Sequence, residues 1–446
     1  MKNVLQTTML LTVMAVLLLT IIVPQKTEAA DSLNIMADAA ILVDADSGKI
    51  LYAQNADAPL GIASMTKMMS EYLLFEAIEE GSVTWDQEYL VTDYTYKISQ
   101  DMTLSNVPLR AEEKYTIKEL YEAMAIYSAN AATIAIAETI AGTEAEFVRL
   151  MNEKAKEFGL DDAKFVNSTG LNNAHLMGMH VEGTGANDEN VMSANSVAKL
   201  AKILLDKYPE VLETTKIPNK VFREGTEDAT NMLNWNSMLP GMPYPYEGVD
   251  GLKTGTTDFA GHSFTGTAKR GDTRLIAVVM KAVDNEGAGS YKARFDATRA
   301  LFDFGFSQFT TAEIIPAGYQ FKGNETLPVT KGKEDEVNIA VKEPVTMVVR
   351  TSEKDDYTPE LVLDEALMQD GKIEAAIDKD KVVGTVKLAM KEGTDYGFLD
   401  EKSDAIQVVT TEKVERANWF SLSMQAVGGF FGTLWTGALD FVKGLF

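Results

Sequence analysis

Apolar and polar positions along this chain fall into blocks, and the period of each block indicates the element it forms. Ala39-Ala40-Ile41-Leu42-Val43-Asp44 and Lys49-Ile50-Leu51-Tyr52 are two apolar runs around Asp46-Ser47-Gly48, which predicts a β-hairpin with a glycine in its turn. The stretch Ala63-Ser64-Met65-Thr66-Lys67-Met68-Met69-Ser70-Glu71-Tyr72-Leu73-Leu74 predicts a helix starting at Ser64 and ending near Gly81. Residues 85–110 show no period and are expected to be loop-rich. From Thr116 to Ala141 the pattern is helical and apolar, broken only at Tyr127-Ser128-Ala129-Asn130. Polar residues in so apolar a setting need partners. Glu144 to Leu160 predicts a helix closed by Gly159, and Asn167-Ser168-Thr169-Gly170-Leu171 a turn. Ser193 caps a further helix that runs to Tyr208 and stops at Pro209.

After a loop rich in Asn and Pro, Gly248-Val249-Asp250-Gly251-Leu252-Lys253-Thr254-Gly255-Thr256-Thr257 leads into two strands, Gly261 to Ala268 and Thr273 to Met280. The short turn Arg270-Gly271-Asp272 joins these as an antiparallel pair. A helix from Arg294 to Phe304 closes the domain. From about Phe309 the texture changes to short β-like runs separated by charged turns, so residues 307–411 read as a small all-β module, a spacer or binding platform.

Both ends carry apolar segments of a different kind. A basic start, an apolar run from about Met9 to Val23 and small residues before Ala30 predict a secretory leader over residues 1–29, with an uncleaved anchor as the competing reading. From Ala417 to Phe446 only Asp440 and Lys443 are charged. Phe420, Met424, Val427, Phe431, Leu434, Trp435, Ala438, Val442 and Leu445 fall on one helical stripe. That stripe suits a helix over residues 412–446 lying in a membrane interface. A spanning helix is disfavoured by Asp440 and the glycines, and a helix packed on the β module remains an alternative.

Composition narrows the chemistry. The chain carries a formal charge of −25, and the leader removes two lysines and one glutamate, leaving the rest still more acidic. Such a protein has no general affinity for nucleic acid. It has no cysteine, hence no disulfide, thiolate nucleophile or thiolate metal site. Its three histidines, His175, His180 and His262, do not make a metal site at their spacing, and no cofactor is called for.

Ser64 and Lys67, three residues apart, share one helical face with Cβ atoms roughly 5–6 Å apart. A serine in a first helical turn with an amine in reach is a nucleophile arrangement. Ser196-Val197-Ala198-Lys199 has the same spacing, so the pattern needs company. Ser64-x-x-Lys67, Ser128-Ala129-Asn130 and Lys253-Thr254-Gly255 stand in order, the first at a helix start and the last on a strand before a hairpin. The second serine-lysine pair fails on order and has a capping role available.

This set resembles that of the low-molecular-mass penicillin-binding proteins, the serine-type D-alanyl-D-alanine carboxypeptidases. The resemblance extends over Pro59 to Lys67, Met151-Asn152-Glu153-Lys154-Ala155, Phe165 to Leu171 and Gly248 to Gly255. Gly61-Ile62 departs from it, where the family often has a proline before Ala-Ser. It implies an α+β penicillin-binding, serine β-lactamase-like transpeptidase fold over residues 30–306, with an antiparallel sheet flanked by helices and a helical part. The β-rich domain and amphipathic helix would follow.

The resemblance also implies roles. Ser64 would attack the D-Ala-D-Ala carbonyl, Lys67 would be the base and Ser128 the proton relay. Asn130 would orient Lys67 and the substrate amide, and the N–H groups of Ser64 and Thr256 would form the oxyanion hole. Lys253, Thr254 and Arg294 would receive the terminal carboxylate, with Gly255 beside them. Peptidoglycan stem peptides would be the substrates, β-lactams the covalent inhibitors and the outer face of the cytoplasmic membrane the location. A serine β-lactamase is the neighbouring enzyme reading, but no Glu-x-x-Leu-Asn lies between the second and third motifs, where Glu144 and Glu146 sit on a helix. A non-catalytic β-lactam-sensing or wall-binding protein is the alternative from another class.

Overall fold

A computed structural model describes residues 33–390, 394–400 and 406–418. The expected leader, and the expected interfacial helix over residues 412–446 from residue 419 on, lie outside these residues; residues 412–418 are not helical but belong to the β module, with Val414 bridged to Ile377 and Arg416 to Gly332. Residues 33–35 belong to an N-terminal unit of their own and form no regular element; everything below concerns the unit that begins at Met36.

The centre of the molecule is a five-stranded antiparallel sheet. Its strands are β1 (Ala37–Asp44), β2 (Ile50–Gln54), β3 (Val249–Thr257), β4 (Gly261–Arg270) and β5 (Thr273–Ala282), in the order β2-β1-β5-β4-β3. The hairpin and the two later strands are those the sequence predicts. Strands far apart in sequence therefore meet: Ile41 lies opposite Val278, and Lys253 opposite Thr265. β1 is an unbroken apolar run because helices cover both of its faces. Alternation sends Ile41 and Val43 into the large helical core, while the other face packs under the C-terminal helix through pairs such as Phe264 with Phe295.

Six helices position the site: α1 (Lys67–Glu79), α2 (Ile117–Tyr127), α3 (Asn130–Ala141), α4 (Glu144–Glu157), α5 (Ala194–Lys207) and α6 (Tyr291–Gln308). In α1 every residue from Lys67 to Phe75 is buried, so it is a central helix packed on all sides rather than an amphipathic surface one. It touches α2, α3, α4, α5 and β3. The predicted break between α2 and α3 is real: Ser128 adopts a left-handed conformation (φ 61°), which ends one helix and lets Ala129 start the next.

Two expectations change. Residues 85–110 hold more than loops: Glu88–Leu90 pairs with Lys114–Thr116, and Asp93–Ser99 is a helix whose Thr92 and Thr95 cap each other reciprocally. A helix of seven residues is too short to display a period, and only its cap signals it. Ser64 also sits one step outside its helix, in a 3₁₀ turn over Ala63–Thr66 that leads into α1.

After α6 the chain enters the all-β module at Phe309–Ile315, which pairs with Val345–Arg350. A seven-stranded sheet follows, around a core that includes Val337, Ile339, Ile373, Ile377, Val408 and Val414. No helix among the described residues is long and apolar enough to cross a membrane.

Candidate active site

The nucleophile turn is held from two sides by glycines that let other backbone approach. A Cβ at Gly255 of β3 would lie 2.6 Å from the Ile62 carbonyl oxygen, and one at Gly170 would lie 1.8 Å from that of Ala63. Gly170 also has φ +82°. No other residue fits at either place. Ser64 is thus presented, half-buried, between the edge strand and the loop from Val166 to Leu171.

That loop is built by side chains in place of backbone pairing. Asn167 Oδ1 accepts from the N–H groups of Thr169 (3.1 Å) and Gly170 (2.7 Å). Asn190 Oδ1 accepts from the Val166 N–H at 2.7 Å, and its amide donates to Thr66 Oγ1 at 2.9 Å. Glu144, expected to be an ordinary helix residue, is buried and accepts from the Ser168 N–H (3.0 Å) and Oγ (2.6 Å). The N-terminus of α4 favours a carboxylate there. The product is a fixed Thr169 carbonyl.

Lys67 is wholly buried, and its Nζ reaches three oxygens: Thr169 O at 2.7 Å, Asn130 Oδ1 at 2.8 Å and Ser64 Oγ at 3.0 Å. A neutral amine has two N–H groups and one lone pair. With Thr169 O and Asn130 Oδ1 taking the two N–H groups, the lone pair is left for the Ser64 hydroxyl. Burial, and then the nearby Lys253 cation, hold Lys67 well below the ordinary lysine value, which favours that neutral form. Asn130 is fixed in turn, its Nδ2 donating to Ser105 O at 3.0 Å. Ser128 Oγ is buried and has no hydrogen-bond partner among the described residues.

On the sheet side Lys253 is 3% exposed, and burial lowers it to about 8, with the Glu71 carboxylate opposing and Arg294 adding to the shift. Thr254 is buried beside it, and Thr256 is exposed. Arg294, at the start of α6, is buried and uses its guanidinium internally. It donates to Gly255 O (3.1 Å), Ser263 O (3.0 Å) and Thr256 Oγ1 (2.8 Å), and meets His262 Nδ1 at 3.0 Å. It clamps the end of β3 and aims Thr256. Across the cleft, the Trp235 ring is stacked between Tyr127, next to Ser128, and Tyr291 of α6.

Hydrogen bonds join Ser64, Lys67 and Asn130, the Gly255 backbone lies against the nucleophile turn, Arg294 holds Gly255 and Thr256, and the Lys253 cation acts on Lys67. The second serine-lysine pair has structural partners: Ser196 Oγ donates to Asp162, and Lys199 pairs with Asp400 at 3.0 Å. His175 and His180 lie elsewhere, and among the described residues no group of three or more His, Asp or Glu could hold a metal. Sequence reasoning gave no role to Glu71, a buried acid on α1. Its one signal was a carboxylate four residues after Lys67 in an otherwise apolar helix.

Fold and site define an active-serine enzyme of the penicillin-binding class. Residues 25–284 match the family described as D-alanyl-D-alanine carboxypeptidase, and residues 309–416 match the C-terminal domain of penicillin-binding protein 5. The chain belongs to the D-alanyl-D-alanine carboxypeptidase family. A relative, the D-alanyl-D-alanine carboxypeptidase DacF of Bacillus subtilis, is 34% identical over 79% of this chain and 81% of its own length. Among solved structures, a peptidoglycan synthesis regulatory factor (PBP3) from Streptococcus pneumoniae is 37% identical, covering 85% of this chain and 99% of its own, with a TM-score of 0.67. Penicillin-binding protein D2 from Listeria monocytogenes, solved with ampicillin bound, is 31% identical over 62% of this chain and 100% of its own, with a TM-score of 0.50. The protein is a serine-type D-alanyl-D-alanine carboxypeptidase.

Proposed function

We propose that this enzyme removes the terminal D-alanine from peptidoglycan stem peptides through an acyl-enzyme on Ser64. The observation that carries the reading is the set of three oxygens around Lys67 Nζ, which spends two N–H groups and leaves a lone pair for Ser64. Ser64 Oγ attacks the carbonyl carbon of the D-Ala-D-Ala bond while its proton passes to Lys67. The tetrahedral oxyanion is received by the backbone N–H groups of Ser64 and Thr256. As the C–N bond breaks, the proton moves from Lys67 through the free hydroxyl of Ser128 to the departing amine. Water then adds to the ester, giving one proton to Lys67, which returns it to Ser64 Oγ as the shortened peptide leaves.

Asn130 orients Lys67 and the scissile amide. Lys253, Thr254 and Thr256 take the terminal carboxylate, whereas Arg294 acts behind them by holding Thr256, in place of direct contact with substrate. Gly255 supplies the close approach of β3. A β-lactam carries a strained amide and a carboxylate at comparable places, so it acylates Ser64 and inhibits. A class A β-lactamase uses a glutamate to activate the deacylating water, and the buried Glu144 is already engaged by Ser168. The leader pattern and the apolar stripe beyond residue 418 support an exported enzyme held at the outer face of the cytoplasmic membrane.

One experiment tests these points together. Fluorescent penicillin is expected to label a protein in the membrane fraction. Ser64→Ala should abolish labelling and reduce D-alanine release by roughly 10³-fold or more, and ending the chain at residue 415 should move the label to the soluble fraction. D-alanine release by Ser64→Ala at the wild-type rate would sink the mechanism. A truncated chain still pelleting with membranes would sink the anchor.

A further inference from the structure

Glu71 lies one turn beyond Lys67 on α1 and is 1% exposed. Both of its carboxylate oxygens are buried, and neither accepts a hydrogen bond among the described residues. A buried carboxylate without donors is costly to keep. The buried residues of α1 around it include Met68, Met69, Tyr72 and Leu74, an otherwise largely apolar setting. What faces it is charge. Two cations act on it, Lys253 from β3 and Lys67 from its own helix, and the Tyr121 hydroxyl of α2 is pushed up by burial and then by this carboxylate. Among the described residues the charges that act on it are those two lysines, and none comes from α3, α4 or α5, the other helices packed on α1.

Two buried lysines side by side destabilise each other's protonated forms. The chemistry proposed above requires them to differ: Lys67 must be a neutral amine while Lys253 keeps its proton to meet a carboxylate. We propose that Glu71 is the positioning residue that makes this difference, a buried counter-charge that keeps Lys253 an ammonium while Lys67 serves as an amine. The proposal rests on the assignment of Lys67 as base and Lys253 as carboxylate receptor. Both lysines feel the same carboxylate, and each has a cationic neighbour, Arg294 for Lys253 and Lys253 for Lys67. The N–H groups of Lys67 are taken up by Asn130 and Thr169, whereas Lys253 makes one bond, to its neighbour's carbonyl at 3.2 Å. Burial raises Glu71 to about 7 while Lys253, with that carboxylate acting on it, stands at about 8, so above pH 7 Glu71 is mostly an anion and holds on Lys253 a proton that would otherwise leave at lower pH.

The test is the pH dependence of KM and kcat for D-alanine release from a synthetic acyl-D-Ala-D-Ala peptide, between pH 6 and 10. It is run on the full chain and on Glu71→Gln, beside penicillin labelling of each. With the carboxylate gone, Lys253 loses its proton earlier, and the pH at which KM begins to rise should fall by about one unit. Glu71→Asp, which keeps the charge, should lie closer to the wild type than Gln does. If the Gln variant does not fold, Glu71→Met fills the volume without charge and should give the same shift. A KM profile that rises at the wild-type pH in the neutral variants, whatever their stability or amplitude, overturns the proposal, as does an Asp variant that behaves like Gln. Absence of any penicillin adduct on the wild type would instead bring down the assignment of the site itself.

Discussion

Lys67 and Lys253 are the same residue type, both buried, within one electrostatic neighbourhood, yet the geometry asks opposite things of them. Burial disfavours the charged form of each. What separates them is their partners: Lys67 gives two N–H groups to Thr169 and Asn130 and turns its lone pair to Ser64, whereas Lys253 meets one carbonyl and the field of Glu71. A consequence follows for the wild-type enzyme. Lys253 binds a carboxylate only while protonated, and its value is lowered to about 8. Below that pH it is charged and KM should be flat; above it the ammonium is lost and KM should climb, with kcat less affected. Stopped assays of D-alanine release at fixed ionic strength check this, and a KM that stays level to pH 10 would remove Lys253 from carboxylate recognition. The two terminal nitrogens of Arg294 already serve Gly255, Ser263, Thr256 and His262, and its Nε is buried.

Among the elements, the loop from Val166 to Leu171 is the least regular and among the most tightly specified. It has no backbone ladder of its own, so Asn167, Asn190 and Glu144 supply what a strand partner would. Gly170→Ala adds a methyl group at φ +82° directly against the Ala63 carbonyl. We expect it to cost about 3 kcal/mol and to remove penicillin labelling, read by urea unfolding and gel fluorescence. Unchanged labelling at native stability would mean the loop can move away without disturbing Ser64. This loop also marks where sequence reading stops. The strands around Ile41, Phe264 and Val278, and helices α2 to α5, announce themselves through period and caps, and three motifs in order locate Ser64, Lys67, Ser128, Asn130 and Lys253. Glu144 and Asn190 declare nothing locally, because their roles consist of contacts to residues 24 positions away. Glu71 is hidden for the related reason that a helix buried on every side has no polar face against which a charge looks out of place. Arg294 was found by position, but its part in clamping β3 depends on the β3–β4 pairing, which no linear pattern contains.

At the scale of the whole molecule, the β module meets the catalytic part through the short segment Asp395–Asp400, which adds itself to the turn between β1 and β2. The Ile50 N–H donates to Gly397 O at 3.0 Å, and the Leu399 N–H to Gly48 O at 2.9 Å. Lys49 is the pin of this junction. It is 5% exposed, with its Nζ 3.4 Å from Asp395 Oδ1, 5.1 Å from the centre of the Phe398 ring and 5.6 Å from that of Tyr357. A lysine desolvated between two rings and a carboxylate contributes more than an exposed pair does, roughly 1–2 kcal/mol. Lys199 adds a more exposed contact to Asp400, which is the structural use of the second serine-lysine pair. Each half keeps a hydrophobic cluster of its own, so the junction couples two folding units rather than creating either. Lys49→Ala should therefore leave penicillin acylation at the wild-type rate, because Lys49 lies outside the serine site. The same substitution should split one calorimetric transition into two, with the β module melting separately. A single transition at the wild-type temperature would show that the backbone pairing at Gly397 and Leu399 holds the halves together without the lysine.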